Sequence, residues 1–97
     1  MKYDYAIYQT ENDDYTFMGF DYAMNHGFSQ ADYQNVYSGE IEASCINEAL
    51  ELLFEKFNIH HPADYKGRSL SVSDLVYINR VPYYCDRFGW SEVPFDR

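Results

Sequence analysis

Ile46, Leu50, Leu53, Phe54 and Phe57 recur at i, i+4, i+7, i+8 and i+11, a spacing that gathers side chains on one side of an α-helix. A helix carrying such a stripe has to bury it, so the chain needs a second layer. Ser44 is the expected N-cap and Asn58 the expected end. Glu48, Glu51 and Glu55 fall on the opposite side and are expected to face water. Glu48 lies near the helix N-terminus and Lys56 near the C-terminus, each at the end its charge favours.

The covering layer reads as a sheet. Lys2 to Gln9 alternates, with Tyr3, Tyr5 and Ile7 on one side and Asp4, Ala6 and Tyr8 on the other, which predicts a first strand. Glu11-Asn12-Asp13-Asp14 is a polar turn, and Tyr15 to Gly19 a short extended piece. Asp21 is placed to cap a brief helix through Tyr22, Ala23 and Met24, stopped by Gly27 in a left-handed conformation. Asn35 to Glu42 predicts a second strand and Leu70 to Ile78 a third, with Asn79-Arg80 as a short turn lacking the usual glycine. Val81 to Asp86 pairs back, with Pro82 at an edge or a strand start. Phe88-Gly89-Trp90 turns again and Ser91 to Pro94 adds a last short strand. The expectation is one α+β domain over residues 1–97: an antiparallel sheet of four to five strands, one principal helix packed on one face, and a second short helix.

Charge narrows the function. The formal net charge is −9, and residues 1–57 carry eleven acids against only Lys2 and Lys56, whereas residues 58–97 are balanced. From Tyr3 to Glu55 there is no Lys or Arg. A negative field of that breadth repels nucleic acid and attracts basic surfaces, the reverse of a direct nucleic-acid binder. Glu40, Glu42, Glu48, Glu51, Glu55, Asp13 and Asp14 are the candidate partner-binding residues, with simple solubility as the competing explanation. Aromatic residues make up 20% of the chain. Of these, Tyr84, Phe88 and Trp90, beside Tyr83, form either an alternative interface or part of the core.

No residue pattern carries catalysis. Ser71 or Ser73, His60 or His61, and Asp74 supply the residue types of a Ser-His-Asp site, but no nucleophile elbow precedes them, and Ser71-Val72-Ser73-Asp74 reads equally well as a capped turn. His60-His61 with Asp64 lacks the spacing of a metal site, and Cys45 and Cys85 stand too far apart in sequence for a zinc pair or a disulfide framework. Gly67 and Gly89 are isolated turn glycines, so no phosphate loop or cofactor site is expected. With no apolar leader or membrane-length run, a cytoplasmic location is expected.

The run from Phe54 to Asp74, with Phe57-Asn58, His61-Pro62, Asp64, Gly67 and Ser69-Leu70-Ser71-Val72-Ser73-Asp74 at its centre, resembles the YodL-like domain. Tyr83-Tyr84-Cys85-Asp86, Phe88-Gly89-Trp90 and Glu92-Val93 continue the resemblance; Tyr5 to Gln9, Phe17 to Phe20 and Tyr33 to Tyr37 look like the same family's opening. The hairpin at Asn79-Arg80 is shorter than in many relatives, and Trp90 stands where Phe is commoner. The resemblance implies a protein of plasmids and integrative conjugative elements of Gram-positive bacteria, with no established catalytic residues. Ser71, Ser73, Asp74, Asp86 and Gly89 look structural. A copy this short is expected to act on its own, as an anti-CRISPR or antirestriction inhibitor that occupies the basic nucleic-acid groove of a host RNA-guided nuclease. The alternative is a non-catalytic scaffold in conjugation.

Overall fold

In the computed structural model, which describes residues 1–93, the chain runs β1 (Lys2–Thr10), α1 (Phe20–Met24), a 3-10 turn (Gln30–Asp32), β2 (Tyr33–Glu42), α2 (Ile46–Ile59), β3 (Leu75–Ile78), β4 (Val81–Asp86) and β5 (Gly89–Glu92). The strands form one antiparallel five-stranded sheet in the order β2-β1-β3-β4-β5. The α+β class, the sheet and the principal helix are as expected.

α2 covers one sheet face. Its Ala49, Leu50, Leu53 and Phe57 are buried against Tyr3, Tyr5 and Ile7 of β1 and Val76 and Ile78 of β3. Each such side chain contributes roughly 1.5–3 kcal/mol relative to remaining in water. Ile46 is half-buried, and Phe54 stays 38% exposed, resting edge-on against Trp90 at 6.4 Å. Phe54 sits at the border of the stripe, where the helix turns toward β5.

The opposite sheet face carries a second, smaller core that the strand-and-helix pattern did not announce. Residues 11–32 fold back over it, so that Tyr15 and Ala23, with Tyr33 of β2, pack on Leu75, Tyr84 and Val93. β3 lies at the centre with apolar neighbours on both faces, which explains its unbroken Leu-Val-Tyr-Ile sequence. Tyrosine hydroxyls fasten the loops to this frame. Tyr84 donates to the Met18 carbonyl at 2.7 Å, Tyr15 to Asp32 at 2.8 Å, and Tyr33 to the Ser73 carbonyl.

Several local expectations are corrected. Tyr15 to Gly19 is no extended piece: residues 13–17 form turns, with the Thr16 N–H on the Asn12 carbonyl at 3.1 Å. α1 is preceded by Gly19 rather than capped by Asp21; the Phe20 N–H is satisfied by the Asp86 carboxylate at 3.0 Å, a partner distant in sequence. Gly27 does take the left-handed conformation, at φ 87°. α2 starts after Cys45 with no side-chain cap, and Glu48 instead reaches back to the Ser44 N–H at 2.6 Å. The Leu70 to Asp74 part of the third strand is a loop, because Ser73 adopts φ 85° and the Asp74 carboxylate turns inward onto the Ser71 N–H at 2.9 Å. The last strand begins at Gly89 and ends at Glu92; Pro94 lies outside the described residues. Asn79 and Arg80 both have positive φ, 48° and 75°, so the two-residue hairpin forms without glycine. Asn79 is held by exchange with the Asp4 backbone, its N–H on the Asp4 carbonyl at 2.9 Å and its Oδ1 accepting from the Asp4 N–H at 3.0 Å.

Candidate functional site

The candidate acids do not lie on one surface. In β1 and β2 the pairs Tyr3↔Ile41, Tyr5↔Gly39 and Ile7↔Tyr37 face α2, so the alternate pairs Lys2↔Glu42 and Asp4↔Glu40 face the other way. Glu40 and Glu42 therefore sit on the sheet face opposite α2, while Glu48, Glu51 and Glu55 are exposed along the outer crest of α2. Asp13 and Asp14 occupy the turn beyond the far end of β1, remote from Glu42. Glu40 and Glu42 belong to β2, a ten-residue strand at the margin of the sheet; of the α2 acids, Glu55 borders the hollow beside Ile41 of β2, whereas Glu51 is close enough to Cys85 of β4 to help raise its thiol.

The two rows are weakly compensated. Glu42 meets the N-terminal ammonium at 2.8 Å, and Glu40 meets Lys2 only at 3.9 Å, both pairs highly exposed. Asp4, which sequence reasoning did not single out, lies directly across from Glu40. Like charges in that position destabilise a sheet. Glu48 is held below the usual carboxylate range by its bonds to Ser44. Among the described residues, the third ion pair is internal, Arg68 to Asp74 at 3.0 Å.

That internal pair accounts for the residues considered for catalysis. Asp74 is fully buried and accepts from Gln9 Nε2 at 3.1 Å, Arg68 Nη1 at 3.0 Å and the Ser71 N–H. Burial pushes its carboxyl up to about 6 despite these donors. Arg68 also donates to the Thr10 carbonyl at 3.0 Å and lies over the Phe17 ring at 5.1 Å, tying the loop at 65–74 to β1. Ser73 Oγ accepts from the Phe17 N–H at 2.9 Å. His61 lies against Tyr65 with ring centroids 5.6 Å apart, its Nδ1 3.4 Å from the Pro62 carbonyl, and among the described residues no hydrogen bond joins His60 or His61 to Ser71, Ser73 or Asp74. The structural reading of Ser71, Ser73, Asp74 and Asp86 thus has a physical content: each satisfies loop backbone or a buried side chain. Gly89 supports the turn with φ 107°. Arg68 and Gln9 were missed because nothing local in the sequence marks the partner of a buried carboxylate. Among the described residues, no group of three or more His, Cys, Asp or Glu stands where it could hold a metal ion, and no helix is long and apolar enough to cross a membrane.

The aromatic candidates separate. Tyr84 is fully buried between Phe20 and Phe28, which removes it from any interface. Trp90 is half-buried on the α2 face, and Phe88, at the tip of the β4–β5 turn, is 96% exposed. Comparison with curated proteins and with solved structures gives no match. The family model of the YodL-like domain, in contrast, matches residues 4–95, which take in every strand and helix described above except the first two residues of β1, and the chain belongs to that family.

Proposed function

We propose that this chain is a non-catalytic binding protein whose acidic surface occupies a basic surface of another macromolecule, namely the nucleic-acid groove of a host RNA-guided defence nuclease. The supporting observation is the exposed, poorly compensated acid set. Asp4, Glu40 and Glu42 lie on the sheet face away from α2, and Glu48, Glu51 and Glu55 on the exposed side of α2. Carboxylates kept at some cost to the fold are relieved when a cationic groove covers them. The polar clusters inside the domain are consumed in holding loops, which leaves the surface as the working part.

Binding of fluorescent target DNA to purified RNA-guided nucleases, with increasing amounts of the chain, tests this. The expected result is loss of bound DNA that is strongest at low salt and absent for Glu40→Lys/Glu42→Lys. Undiminished DNA binding across such nucleases would contradict the proposal. A conjugation scaffold is favoured by one observation, the exposed Phe88; for that reading Phe88→Ala, not charge reversal, abolishes partner binding.

A further inference from the structure

β2 presents more than acidic side chains. The residues Met1 and Ala43 exchange both backbone hydrogen bonds, each at 2.9 Å, and so form a closely hydrogen-bonded pair. Antiparallel pairing alternates, so Ile41, Gly39 and Tyr37 direct their N–H and C=O groups toward β1, and Ser38, Glu40 and Glu42 direct theirs away from it. Among the described residues, no strand pairs with that outer margin. Beside it, on the α2 side, lies a shallow, open hollow of about 360 Å³ lined by Ile41 of β2 and by Leu52, Glu55, Lys56 and His60. Leu52 and Ile59, two turns apart on the same side of α2, are 38% and 63% exposed. A free strand margin next to a helix-walled hollow is the arrangement that accepts an added strand.

We propose that β2 binds an extended segment of a partner protein by strand addition, and that this segment alternates basic and apolar side chains. The alternation follows from the register. Residues of the added strand opposite Ser38, Glu40 and Glu42 share their face, where the carboxylates of Glu40, Glu42 and Asp4 select Lys or Arg. The intervening residues lie opposite Gly39 and Ile41 and point over the hollow at Leu52, which selects apolar side chains. At Gly39 the Tyr5 side chain fills the place of a Cβ, which would stand 2.8 Å from its hydroxyl, so an apolar side chain opposite Gly39 would meet the Tyr5 ring. A second copy of the chain is a poor occupant, because it would bring more acid to an acidic margin. This inference rests on the acidic-surface reading and adds its geometry.

The probe is a capped peptide of alternating Lys and Val, about ten residues long to match β2, with a Glu/Val peptide and a block peptide of the same Lys and Val content as controls. On binding the alternating peptide, the amides of Ser38, Glu40 and Glu42 should exchange with solvent at least about tenfold more slowly. Those of Gly39 and Ile41, already in the β1 ladder, should not change. Ser38→Pro, which removes an outward N–H without removing charge, should weaken binding about tenfold. The exchange measurement on the unaltered protein stands even if that variant folds poorly. Failure of the alternating peptide to bind, equal binding of the block peptide, unchanged exchange at the three amides, or protection that rises with protein concentration in the absence of peptide would each overturn strand addition. If salt-sensitive binding is lost in Glu40→Lys/Glu42→Lys but kept in Ser38→Pro, the acidic surface stands and strand addition falls. Binding of the Glu/Val peptide as tightly as the Lys/Val one would overturn both.

Discussion

Asp74 shows how much one residue can decide here. Its carboxylate is fully buried, and four hydrogen bonds from Gln9, Arg68 and the Ser71 N–H converge on it. Its pKa of about 6 lies above the ordinary 3.8, so the folded chain holds this proton more tightly than the unfolded chain. The stabilisation from protonation is complete below the ordinary value and is lost as pH rises through about 6. Between about pH 7 and pH 5 the protein should gain about 1 kcal/mol of stability from this group. Asp32, Asp86 and Glu48, held low by hydrogen bonds, pull the other way, but only in the more acidic range. Urea unfolding at the two pH values should show the gain in the parent and a flatter response in Asp74→Asn; an equal gain in both assigns it elsewhere. Tyr84 makes a second point at this scale. With its ring enclosed and its hydroxyl on Met18, Tyr84→Ala should cost about 3–5 kcal/mol in thermal or urea unfolding. A variant of unchanged stability would return Tyr84 to the surface.

Among the elements, α2 was the most legible in the sequence, because a 3.6-residue period survives without knowledge of partners. Leu53 is fully buried, and Leu53→Ala should destabilise by about 2–5 kcal/mol. Phe54→Ala should cost clearly less, since Phe54 keeps 38% of its surface in solvent. Comparing the two melting temperatures checks the orientation of the helix; equal losses would mean the stripe is rotated. β1 was equally legible from its period of two. The loop at 70–74 was not, because its alternation of Leu70, Val72 and the serines imitates a strand while Ser73 and Asp74 bend the chain toward Phe17 and Arg68. The cap of α1 escaped for a related reason: Asp86, which supplies it, lies in β4. The acids were visible one by one, but their division between two faces depends on the β1–β2 register, which only the paired strands reveal.

For the whole molecule, the asymmetry of charge is spread over two surfaces, one acid row on the sheet face away from α2 and the other on the exposed side of α2. Reversing Glu40 and Glu42 relieves the Asp4–Glu40 opposition but gives up the exposed pairs with Lys2 and the N-terminal ammonium, small effects of opposite sign, so Glu40→Lys/Glu42→Lys should fold about as stably as the parent. A marked fall in its melting temperature would show that these acids serve the fold. The most direct test of the functional reading is the association rate of the chain with an RNA-guided nuclease, measured at low and high salt for the parent and for Glu40→Lys/Glu42→Lys. Exposed charges lose their reach beyond about 8 Å at physiological ionic strength. The parent should therefore associate far faster at low salt, and the variant should be slow at both, with dissociation affected less. Equal, salt-independent association of the two proteins would contradict recognition through the acidic surface.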